Sequence, residues 1–94
     1  MLNRVLEVQE VFYFPGTAAQ YEGHFLISSS DPILIEIAKK INESISEIPK
    51  YQLLLKVKND ESYEISDCCI NRFDNSNPEY TICYFFCNDI EKTT

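Results

Sequence analysis

Glycine occurs only twice in this chain, at Gly16 and Gly23. Phosphate-cradling loops of the Walker or dinucleotide-binding type need several glycines close together, so they are excluded. Basic residues are also scarce, with 8 Lys and Arg against 15 Asp and Glu for a net charge of -7. Such a field repels phosphate backbones and anionic lipid heads, and neither direct nucleic-acid binding nor membrane-surface binding is expected. No apolar run approaches the roughly 20 residues of a bilayer-spanning helix. The first residues, Met1-Leu2-Asn3-Arg4-Val5-Leu6-Glu7, lack the uninterrupted apolar stretch of a secretory signal. The expectation is a cytoplasmic protein whose cysteines stay reduced.

Those cysteines, Cys68, Cys69, Cys83 and Cys87, lack the paired knuckle spacing of a zinc site. Neighbours along a strand point to opposite sides, so Cys68 and Cys69 cannot share a ligand set. They read as buried thiols acting as small hydrophobes, without metal and without a disulfide. His24 is the single histidine, a residue type that exchanges protons near neutral pH. No nucleophile motif accompanies it, because Ser28, Ser29 and Ser30 are accounted for by a turn and a helix start. Asn42-Glu43-Ser44 matches a glycosylation sequon but falls on a helix of a chain without a signal. No catalytic residue and no cofactor is expected.

What the chain does have is apolar surface. Its 94 residues suit one domain, residues 1–94, and a 45% hydrophobic content with six Tyr and six Phe is enough to build a core. No repeat, low-complexity segment or interdomain linker is present.

From Leu2 to Phe14 the pattern is that of a half-buried strand, with Leu6, Val8, Phe12 and Phe14 on one alternating face. Pro15-Gly16-Thr17 signals a turn, and Tyr21 to Ser28 alternates again, so the two segments read as a hairpin. Asp31-Pro32 marks a helix start: the aspartate accepts from a free helix N–H, and proline suits the first helical position. Leu34, Ile37, Ala38, Ile41, Ile45 and Ile48 then recur at spacings of three and four, up to Pro49. Tyr51 to Lys58 alternates as a strand. Ser62 to Ile70 does too, provided that a bulge near Ser66 turns Cys68 and Ile70 inward. Tyr80 to Cys87 is a last apolar strand before a polar tail, residues 88–94. The fold class expected from this order, β-β-α-β-β-β, is α+β: a two-layer sandwich of one helix on a curved antiparallel sheet of about five strands.

One helix covers one face of a sheet, yet the strand at Tyr80–Cys87 is apolar on both. Contiguous aromatic surface left uncovered marks a contact site. The net negative charge falls mainly in residues 51–94, where Asp60, Glu61, Glu64 and Asp67 cluster. Carboxylates of this kind steer a basic partner and raise its association rate. The expected partner-binding residues are therefore Asp60, Glu61, Glu64 and Asp67 at the rim, with Tyr80, Tyr84 and Phe85 at a dry centre. In size and charge the chain resembles toxin-neutralising immunity proteins and phage-encoded inhibitors of nucleic-acid enzymes, among them anti-CRISPR proteins. The function expected is that of a small acidic binding protein, not an enzyme, that occludes a basic, nucleic-acid-handling site on a larger protein such as a toxin nuclease or CRISPR effector. A structural or assembly role through homodimerisation is the alternative, and an enzyme of unknown type using His24 is the second.

Overall fold

The computed structural model describes residues 2–17, 19–43, 48–58 and 60–93. Its strands are β1 (Leu2–Val8), β2 (Glu10–Pro15), β3 (Tyr21–Ser28), β4 (Tyr51–Val57), β5 (Glu61–Asp74), β6 (Tyr80–Cys87) and β7 (Asp89–Lys92), and its helix is α1 (Ile33–Glu43). Strands take up 63% of the described residues and form a curled mixed sheet, a half-barrel. The order across the sheet is β1-β4-β5-β6-β3-β2, with β7 paired on β5. The expected two-layer antiparallel sandwich of about five strands is thus replaced by a mixed sheet of seven, because β1 pairs with β4 in parallel rather than with β3.

The curl follows from the connectivity. β1 and β2 are the two ends of the six-strand path, yet a single residue, Gln9, joins them. Opposite edges can lie one residue apart only if the sheet bends round until they converge there. The Gln9 amide completes the corner by donating to the Leu26 carbonyl on β3 at 2.8 Å.

Gln9 also corrects the first alternation. Leu6 and Val8 are buried as expected, but Phe12 and Phe14 are exposed. An extra residue in a strand shifts the period-2 pattern by one, which sends every later side chain to the opposite face. Beyond Gln9 it is Val11, packed against the core, that faces inward, and Phe12 and Phe14 that face out.

Elsewhere local patterning holds. On β3 and β4 the inward sets Gly23, Phe25, Ile27 and Tyr51, Leu53, Leu55 are buried. Along β5 the register with β4 shifts between Leu53, opposite Ile65, and Tyr51, opposite Cys68. Asp67 takes a left-handed φ of 52° at this bulge, and Ile65, Cys68 and Ile70 all point inward. The residues after Cys87, read as a polar tail, instead contribute β7, which pairs Asp89–Lys92 with Tyr63–Ser66 and inserts Ile90 into the core.

The helix starts as expected, with the Ile33 amide donating to Asp31 Oδ1 at 3.0 Å. Ile37 is fully buried, and Ile33, Leu34 and Ile41 pack on the same core. Of the other stripe residues, Ile45 lies outside the described residues and Ile48 is exposed. Arg4, whose side chain shares the inward face of β1 with Leu6 and Val8, grips Glu36 through two bonds, Nε to Oε2 at 2.8 Å and Nη2 to Oε1 at 2.7 Å. The fork ties α1 to the inward, concave side of the sheet, and on the opposite side Phe12 and Phe14 stand exposed. No helix among the described residues is long and apolar enough to cross a membrane.

Candidate functional site: the outer aromatic face

The convex face of β2, β3 and β6 is organised by strand register. Phe12 stands opposite His24, His24 opposite Tyr84, and Tyr84 opposite Arg72 on β5, making one row across four strands. In the adjacent row Phe14 stands opposite Glu22 and Glu22 opposite Phe86. Two polar side chains of β3, His24 and Glu22, therefore run between aromatic rails on β2 and β6.

The rings touch along these rows. Phe12 and His24 stack with centroids 5.5 Å apart, His24 and Tyr84 are 5.6 Å apart, and Phe12 and Phe14 are 6.0 Å apart. The Arg72 guanidinium carbon ends the first row, 4.0 Å above the centre of the Tyr84 ring. Offset and tilted contacts at these distances satisfy the quadrupoles of aromatic rings, and the guanidinium adds a cation–π contact. Between the rows lies a shallow pocket of about 220 Å³ whose lining includes Phe14, Glu22, His24, Asn71 and Tyr84. Phe12 is 55% exposed and Phe14 46%, so the array is open to a partner.

The expected site residues divide on this map. Tyr84 is at the centre of the array, and Tyr80 lies on the same face, opposite Ser28 at the end of β3. Phe85 is a correction: strand alternation turns it inward, where it is 2% exposed and packs against Phe25 with ring centroids 6.0 Å apart.

The acids lie mostly elsewhere. Asp60 takes a φ of 63° in the turn before β5, and Glu61 pairs with Lys92 at 3.3 Å. Glu64 is exposed, opposite Glu91 of β7. Asp67 accepts a hydrogen bond from Asn88 Nδ2 at 2.9 Å. Asp67 is two residues from Cys69, which faces Phe86, so it borders the aromatic rows at about 7 Å along the strand. Glu64 is roughly 16 Å away by the same measure, and Glu61 is further still.

Sequence reasoning missed Phe12, Phe14 and Glu22 as parts of one surface. The alternation of β3 already set Glu22 beside His24. Only the parity change at Gln9 puts Phe14 on the same side.

The cysteine thiols are all buried and free. Burial pushes Cys83 up to about 12 and Cys87 up to about 11, and holds Cys68 and Cys69 above the ordinary thiol value as well. No group of three or more His, Cys, Asp or Glu suited to a metal ion occurs among the described residues. Ser28 and Ser30 bond to each other and Ser29 bonds to Thr81, with Ser28 about 14 Å along β3 from His24. This spacing keeps the serines out of reach of the imidazole. An open cavity of about 810 Å³ lies between α1 and the loop after β5, with Leu34, Ile35, Ala38 and Pro78 among its walls.

No protein-family model, curated protein or solved structure matches this chain.

Proposed function

We propose that this protein binds a basic surface on a larger protein through its outer aromatic face and acts by occluding that surface. The observation that carries the reading is the contiguous row Phe12–His24–Tyr84–Arg72, exposed at its Phe12 and Arg72 ends and half-buried between, on a sheet face that α1 does not cover. Exposed aromatic patches rimmed by polar groups are the usual anchors of protein interfaces. Phe12, Phe14 and Tyr84 supply the apolar contact. Asp67 stands at its edge, while Asp60, Glu61 and Glu64 contribute long-range attraction. A basic site that handles nucleic acid fits such a binder, so inhibition of a toxin nuclease in the manner of an immunity protein, or of a CRISPR effector, is the activity proposed. Action in the cytoplasm suits four reduced, buried thiols.

The test is affinity capture from the native host with wild-type protein and a Phe12→Ser, Tyr84→Ser variant side by side, followed by mass spectrometry. A partner held by the wild type and lost by the variant supports the reading; equal retention by both removes it. With that partner in hand, Glu64→Lys and Asp67→Lys should slow association and flatten its salt dependence.

A second reading is favoured by the edge of β2, which among the described residues pairs only with β3 and exposes three aromatic side chains. Unpaired edges of this kind recruit a second copy. Sedimentation decides between them: a concentration-independent monomer excludes the homodimer.

A further inference from the structure

We infer that the pocket between Phe14 and Tyr84 receives an arginine side chain of the partner, with Glu22 as the carboxylate that reads it. This rests on the docking reading above and adds the chemistry of the central contact.

Glu22 is the half-buried carboxylate of the array, flanked in register by Phe14 on one side and Phe86 on the other. It forms no ion pair among the described residues, whereas Glu36 and Glu61 are engaged by Arg4 and Lys92. Its position is built by Gly16: a Cβ there would stand 2.9 Å from Glu22 Cγ and 3.2 Å from Oε2. The turn thus makes room for this side chain.

At about 220 Å³ the pocket is smaller than the roughly 300–1,000 Å³ of small-molecule sites, so it suits one side chain better than a cofactor. A planar guanidinium matches what lines it, because it binds a carboxylate through a fork and stacks on aromatic faces. The same surface already holds one guanidinium in this way, that of Arg72 over Tyr84. Arg72 itself is not among the residues that line the pocket.

The experiment is an NMR titration of the whole protein, following the ring signals of Phe14, His24 and Tyr84. The probes are the blocked peptide Gly-Arg-Gly, its isosteric neutral counterpart Gly-citrulline-Gly, and a short oligothymidylate. The arginine peptide should shift these rings saturably, the citrulline peptide should bind several-fold more weakly, and Glu22→Gln should weaken the arginine peptide by about 5- to 10-fold. Equal binding of the two peptides, or no effect of Glu22→Gln, would overturn the assignment. So would oligothymidylate occupying the same rings, which would make the array a base-stacking platform. The two readings fail separately. If arginine binding is lost while the Phe12 and Tyr84 changes still abolish partner capture, docking stands without this contact. If the peptide binds but capture ignores those rings, the pocket stands and the docking reading does not.

Discussion

Gly23 lies so close to β2 that a Cβ added to it would stand 2.1 Å from the carbonyl oxygen of Phe12. The absence of a side chain at Gly23 leaves room for β2 to pair this closely with β3, the strand pairing that carries Phe12 and Phe14.

Gly23→Ala should accordingly destabilise the protein by about 1–3 kcal/mol, because the obstacle is backbone that can yield only by displacing β2. Chemical denaturation measures the loss. Phe12 and Phe14 ring signals should move in the same variant, while those of Phe25 in the core stay in place.

Tyr51 carries a buried hydroxyl with no hydrogen-bond partner in the structure. A polar group desolvated without compensation costs free energy, so Tyr51→Phe should leave stability unchanged or raise it by about 1 kcal/mol. A clear loss in denaturant midpoint would mean that the hydroxyl is bonded in solution.

The Arg4–Glu36 fork predicts a pH dependence. The hydrogen bond from Arg4 lowers the Glu36 carboxyl below its ordinary value. A group lowered on folding adds stability above its unfolded value, and this is lost as pH falls through the folded value. The advantage of wild type over Glu36→Gln should therefore be full at neutral pH and shrink under acid, read as denaturant midpoints across a pH series. An advantage independent of pH would show that the fork contributes nothing.

The thiols predict the opposite limb. Burial raises Cys83 to about 12 and Cys87 to about 11 from an ordinary 9.0. Their contribution to stability is intact below the ordinary value and is lost as pH climbs through the folded ones. In the native state at mild pH all four should resist alkylation and react only on unfolding. Fast labelling of any of them in the folded protein contradicts the buried placement.

How much of this was legible beforehand depended on how local each signal was. The cap at Asp31, the alternation of β3 and β4, and the bulge that turns Cys68 inward could be read, since each is decided within a few residues. The fold class could not. The parallel pairing of β1 with β4 joins segments about fifty residues apart, and nothing in the periodicity of either records it. β7 escaped because four residues with one buried side chain, Ile90, resemble a tail. The site was half legible for the same reason: Tyr84 followed from alternation in β6, whereas the single residue Gln9 inverted Phe12 and Phe14. Phe85 was misplaced by counting both faces of β6 as surface.

The footprint of the captured partner on the free protein is the sharpest measurement available. Amide and ring signals of Phe12, Phe14, Glu22, His24 and Tyr84 should shift or become protected from exchange when it binds, with the outer face of β1 and β4 unchanged. A footprint confined to the groove between α1 and Pro78, with the aromatic rows unaltered, would contradict the account.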